Sequence, residues 1–194
     1  MDDEAIPFSD TEAFAAWLDE HHAASDGIWI KFAKKASGIP SVTYKEVLPV
    51  ALAYGWIDGQ VKRIDDDWYR QRWTPRRARS IWSEINRAAA EAMIERGEMK
   101  PAGLAEVERA KADGRWERAY DSPKTAEVPE DLLAALGASP AAAKLFAELD
   151  STNRYAILHR LQNIKRPETR ARRIEQYVAM LARGDTLHPR RPAR

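Results

Sequence analysis

The chain has 194 residues, 31 Lys/Arg against 30 Asp/Glu, a formal net charge of +1, seven tryptophans and no cysteine. That length suits one domain or two small ones, and the missing cysteines exclude a disulfide framework and thiolate metal sites while fitting a reducing compartment. No apolar run approaches the ~20 residues needed to cross a bilayer, and MDDEAIPFSD lacks a charged-then-apolar export pattern. The expectation is therefore a soluble, cytoplasmic protein without membrane insertion.

Charge is spread unevenly. Residues 1–27 carry eight acids and no Lys or Arg, whereas residues 150–194 carry eleven Lys/Arg against four acids. Such asymmetry points to an acidic partner for the C-terminal part or to attraction between the two ends, the plain alternative being an arginine-rich exposed helix.

Ser9 and Glu12 have the spacing of a capping box, predicting a helix to His22 with Phe14, Trp17 and Leu18 on one face. His21 and His22 at its end lack further ligands at helical spacing for a metal. Alternation of Ile28, Ile30 and Phe32 with Trp29, Lys31 and Ala33 predicts a strand. Thr43 and Glu46 form a second capping box, flanked by Val42 and Val47 as a staple. The helix it opens should run to Tyr54 and turn at Gly55, with a kink or a late start at Pro49.

The stretch Gly55–Arg87 holds four of the seven tryptophans. Two strands, 56–64 and 68–74, flank the turn Asp65–Asp67 and should pair antiparallel. Strict alternation sets Ile57, Gly59 and Val61 against Trp56, Asp58, Gln60 and Lys62, and Tyr69, Gln71 and Trp73 against Trp68, Arg70 and Arg72. Asp58 is then expected on a face near arginines of the neighbouring strand, either as half of an ion pair or as an acid poised in a pocket. Pro75 ends the strand. Arg76, Arg77 and Arg79 follow, then Ser80, Trp82 and Ser83, where a helix starts and runs to Arg96 with Ile85, Ala89, Ala92 and Met93 inward.

Guanidinium forks before a helix start, beside indole faces, have the chemistry of an anion site. The candidate ligand-binding set is Arg70, Arg72, Arg76, Arg77, Arg79, Ser80, Trp82 and Ser83, and the ligand a small anion, phosphorylated or carboxylated, or else a protein partner. The competing reading is an arginine-rich turn over core tryptophans. There is no Gly-rich phosphate loop, no nucleophile–base signature, no metal-ligand motif and no signature of a cofactor. Asp58 is the one candidate acid or base.

Pro101 opens a helix to Ala112. Residues 113–128 are polar and aperiodic, a connector pinned by Trp116 and Tyr120. Helices are then expected at 129–136, 140–149, 152–164 and 167–182. The last is amphipathic, with Glu168 and Arg172 spaced as an i,i+4 pair and Arg166, Arg170 and Arg173 on a neighbouring face. It lacks a turn-helix partner, and the chain is not strongly basic, which argues against nucleic acid. His159 lies beside the apolar face, as a structural histidine would. The tail HPRRPAR is expected to be disordered. The resulting architecture is α+β: a small antiparallel sheet with helices over residues 1–112, the connector, and an all-helical domain over 129–194.

The runs YGWIDGQ, RWTPRRARSIWSEIN, MKPAGL and NRYAILHRLQNIKRPETRARRIEQYVAML, spread over nearly the whole chain, resemble the YdeI/OmpD-associated family. The resemblance implies a C-terminal helical part of the OmpD-associated type and a link to bacteriocin protection, porin association and resistance to cationic antimicrobial peptides. It brings no catalytic residues, and its description leans to the periplasm, which this N-terminus does not share. Two functions remain: a non-enzymatic binder of an anionic ligand or protein in envelope or antimicrobial stress, and an enzyme on a small phosphorylated or carboxylated substrate with Asp58 as acid or base and the arginines as clamp.

Overall fold

The computed structural model of the chain describes residues 4–189. The expected tail lies mostly outside them. The architecture is α+β, with strands in the N-terminal part and helices throughout, and the chain divides into two compact units at Ala119/Tyr120.

The first unit holds a four-stranded sheet in the order β1-β2-β4-β3: β1 Ala5–Ile6, β2 Ile28–Ala33, β3 Trp56–Arg63 and β4 Trp68–Pro75. β2, β4 and β3 pair antiparallel as their alternation predicts, while the short β1, too brief to show periodicity, adds parallel to β2. The hairpin turn is an aspartate turn: Asp65 Oδ1 accepts from the N–H groups of Asp67 and Trp68 at 2.9 and 2.8 Å. Lys34 Nζ closes it by donating to the Asp65 and Asp66 carbonyls.

Helix α1 (Thr11–His21) starts one residue later than its capping-box pattern implied. Asp10 accepts from Ala13 N–H at 2.8 Å, and Ser9 instead donates its hydroxyl to Asp10. A carboxylate outcompetes a hydroxyl for a helix N-terminus because charge and dipole attract. In α2 (Tyr44–Ala53) the capping box is present, Glu46 accepting from both the N–H and the hydroxyl of Thr43 at 2.8 Å. Pro49 sits inside this helix, which begins at Tyr44 rather than late. Gly55 then takes φ +73°, the left-handed turn a side chain would strain.

Helix α2 is the centre of the unit, touching α1, β3, α3 (Glu84–Glu95) and α4 (Pro101–Ala112). Its approach to α4 depends on Gly103, where an added Cβ would lie 2.2 Å from the Ala53 carbonyl oxygen. The core joins Ile30, Phe32 and Trp73 of the sheet to Phe14, Leu52 and Trp82, all fully buried. Ile85, expected inward, is 59% exposed: α3 starts from the cap Ser83, and its buried face falls on Asn86, Ala90 and Met93.

The second unit packs α5 (Glu130–Gly137), α6 (Pro140–Ala147), α7 (Ser151–Gln162) and α8 (Pro167–Ala182) around Leu132, Phe146, Ile157, Leu161, Ile174 and Leu181. Arg170, expected beside the apolar face, is drawn into the packing. Its Nε and Nη2 donate to the two Asp131 oxygens at 2.5 and 2.9 Å, and its Nη1 to the Leu161 carbonyl at 2.7 Å. One guanidinium so ties α5 and α7 to α8. His159 lies between the rings of Tyr120 and Tyr155, and burial holds its pKa below the usual histidine value.

Trp82 has no exposed surface. Trp82→Ala should therefore cost about 3–5 kcal/mol in urea unfolding, and a loss under ~1 kcal/mol would overturn its place in the core.

Candidate functional site

The expected site residues divide between the two faces of the sheet. In the β2/β4 register Trp29 faces Arg72 and Lys31 faces Arg70, so both arginines lie on the face away from Trp73 and the core. There Arg70 lies 4.6 Å over the Trp29 ring, and Arg72 reaches Asp26 at 3.6 Å. Asp58 is opposite Trp73, on the core face. The structure thus does not bring Asp58 together with Arg70 and Arg72.

The β3/β4 register shifts between Asp58 and Val61, placing Gly59 and Gln60 opposite a single residue of β4. Such a bulge reverses the alternation beyond it. Lys62, expected on the face of Asp58, instead pairs with Arg70 and reaches over the Trp29 ring at 5.0 Å.

Asp58 is half-buried in a polar cluster of its own. Gln71 Nε2 donates to its Oδ2 at 3.1 Å, and the Tyr44 hydroxyl, from the first turn of α2, bonds it as well. Burial pushes the carboxyl above its usual range, against its own backbone N–H, the charge of Arg76 and the Tyr44 bond, which pull it down. Gln71, 5% exposed, carried a legible signal: it is the polar position in the inward-facing series Tyr69, Gln71, Trp73. Tyr44 gave no such signal, because a helix start shows nothing of what lies across from it.

Arg76 is the member of the arginine turn that does face Asp58. It is 4% exposed, its guanidinium carbon sits 3.5 Å over the Trp82 ring, and its Nη1 donates to the Ile81 carbonyl at 3.2 Å. Trp116 also meets the indole, edge-on, at 4.8 Å. Trp82 is thus enclosed by Arg76 and Trp116 rather than presented as an open stacking face, and its indole N–H is buried without an acceptor among the described residues.

Two further arginines, absent from the sequence-based set, hold the same turn. Arg115 Nη1 donates to the Ser80 carbonyl at 2.6 Å, and Arg109 Nη2 to the Arg76 carbonyl at 3.4 Å. Both come from α4 and the residues just after it, far enough along the chain that no local pattern connects them to the turn. Ser80 Oγ accepts from the Arg77 N–H at 2.9 Å. Ser83 caps α3 by accepting from Asn86 N–H at 3.1 Å, so one of the free amides expected for an anion is taken by the chain itself. Arg77 and Arg79 are exposed, and neither has an acidic partner among the described residues. No group of three or more His, Asp or Glu fit to hold a metal occurs among the described residues.

Strands β2 to β4, the arginine turn, helices α1 to α3 and the first half of α4 fall within one family model. The model described as Domain of unknown function (DUF8412) matches residues 6–106, just over half of the chain, and the chain belongs to that family. The C-terminal helices match a second model, described as Bacteriocin-protection, YdeI or OmpD-Associated, over residues 125–184. The resemblance seen in the sequence therefore holds for the C-terminal part, while the N-terminal runs YGWIDGQ and RWTPRRARSIWSEIN fall under the first model. Neither a curated protein nor a solved structure matches the chain. No helix among the described residues is long and apolar enough to cross a membrane.

Asp58 supplies a prediction with a definite sign. A carboxyl whose folded pKa is raised binds its proton more tightly folded than unfolded, so ionisation costs stability. The cost is absent below the ordinary value of 3.8, grows as pH rises from there, and is complete above the folded pKa. Asp58→Asn cannot ionise, so its stability relative to wild type should improve as pH rises from about 3 to 7. A pH-independent difference in urea melts would show that Asp58 does not titrate with a raised pKa.

Proposed function

We propose that the protein is a non-enzymatic binder of an anionic ligand, acting in the cytoplasm in envelope or antimicrobial stress, with the turn at residues 76–83 as its recognition element. The observation that carries this reading is the pair Arg77 and Arg79, exposed and without an acidic partner among the described residues. They stand on a turn whose carbonyls are tied from beneath by Arg76, Arg109 and Arg115. Like charges held close on a fixed scaffold repel, and a bound anion relieves that repulsion while gaining charge-assisted hydrogen bonds. The stress setting draws on the description of the C-terminal family model.

A second reading, an enzyme with Asp58 as acid or base, is favoured by the Tyr44–Asp58–Gln71 cluster and the raised Asp58 pKa. A perturbed carboxyl next to a hydroxyl is a recurrent feature of reaction sites, and of structural networks too. Of the clamp this reading called for, Arg70, Arg72, Arg76, Arg77 and Arg79, the first two lie on the other face of the sheet and Arg76 is buried over Trp82, so the binding reading is preferred.

Phosphate or sulfate should raise the melting temperature, with the effect weakening in high salt. Arg77→Ala with Arg79→Ala should abolish the shift while leaving the ligand-free melting temperature near that of wild type, since both side chains are exposed. A shift that survives in the double variant would rule the turn out.

A further inference from the structure

Five arginines surround one turn: Arg76, Arg77 and Arg79 within it, Arg109 and Arg115 beneath it. Three carboxylates answer them. Asp58 feels the charge of Arg76, Glu106 pairs with Arg109, and Asp113 accepts from Arg115 Nε with both oxygens at 2.8 Å. Among the described residues the uncompensated pair is Arg77 and Arg79. A carboxylate would neutralise one of them. A phosphate monoester, with close to two negative charges at neutral pH and three strong acceptor oxygens, would neutralise both.

Arg115 adds an independent observation. It is 9% exposed, its Nε is used by Asp113 and its Nη1 by the Ser80 carbonyl, but Nη2 is buried without an acceptor among the described residues. A guanidinium N–H left unmet in the interior is costly and calls for an acceptor. Because Nη2 shares its carbon with Nη1, it lies near Ser80, in the turn that carries Arg77 and Arg79. We propose that the turn binds the phosphoryl group of a small phosphate monoester as its dianion, with Arg115 as the innermost donor and Arg77 and Arg79 closing from outside. The assignment rests on the anion-binding reading above. Nη2 is closed to solvent, so the apex Arg77–Ser80 must lift for an oxygen to enter. That apex is held by two bonds internal to it, Arg77 N–H to Ser80 Oγ and Ser80 N–H to the Arg77 carbonyl, and by the bond from Arg115 to the Ser80 carbonyl.

The test is calorimetric titration of the full chain with phenyl phosphate, acetate and a phosphoserine peptide at constant ionic strength between pH 5 and 8. Phenyl phosphate should bind about tenfold or more tighter than acetate, the yield of one added charged hydrogen bond, and its affinity should rise as it takes its second charge near pH ~6. Arg115→Met should lose most of the preference for phosphate over acetate, keeping only the part due to charge on Arg77 and Arg79, with weak binding of both. Arg77→Gln with Arg79→Gln should lose both ligands. Should Arg115→Met fail to fold, Arg115→Lys, which keeps the charge and loses the planar fork, carries the same expectation. Equal binding of acetate and phenyl phosphate would overturn the dianion assignment and leave the anion reading standing. Binding of neither would overturn both. A preference retained in full without Arg115 would remove it from the site, and a response confined to the phosphopeptide would overturn the small-ligand assignment.

Discussion

One buried cation, Arg76, ties the sheet of the first unit to the turn before α3. Taking a guanidinium out of water costs several kcal/mol unless charge, hydrogen bonds and polarisable surface replace the solvent. All three are supplied here: the Asp58 carboxylate, the Ile81 carbonyl and the face of Trp82. A cation held over an indole away from water contributes about 2 kcal/mol or more. The arrangement links the end of β4 to the chain's turn into α3. It also ties the state of Asp58 to the turn, since neutralising that carboxyl removes the charge that answers Arg76.

The two faces of the sheet divide the basic residues by chemistry. Arg70, Lys62 and Lys31 lay their cations over Trp29 and Trp68 on the outer face. Arg76 does the converse on the inner side, burying its charge and making the tryptophan part of the core. The bulge at Gly59–Gln60 keeps Asp58 inward while turning Lys62 outward, and without it the hairpin would place an exposed lysine against the apolar face.

In the second unit Arg170 has the corresponding role. Its bidentate bond to Asp131 and its bond to the Leu161 carbonyl join α8 to α5 and α7 with directional contacts that a purely apolar seam would lack. Fork-to-carboxylate geometry holds the Asp131 carboxyl below its usual range. Glu168 and Arg172, the pair that i,i+4 spacing favours, form no ion pair among the described residues, whereas an acid thirty-nine positions away captures Arg170.

What the sequence by itself determined is what short-range chemistry determines. Alternation in 28–33 and 68–75, the aspartates at the hairpin, the Thr43/Glu46 box, the glycine after α2 and the proline starts of α4, α6 and α8 each depend on neighbours within a few positions. So the α+β class, the hairpin and nearly every helix were legible. Tertiary structure decided what depends on approach across space. A bulge chosen by packing separated Asp58 from Arg70 and Arg72. Arg115 and Arg109, more than thirty residues on, became the supports of the arginine turn. Trp82, readable as either platform or core, became core because Arg76 and Trp116 closed over it, and of three arginines in one turn only Arg76 went inside, because only it had Asp58 and an indole face to replace water.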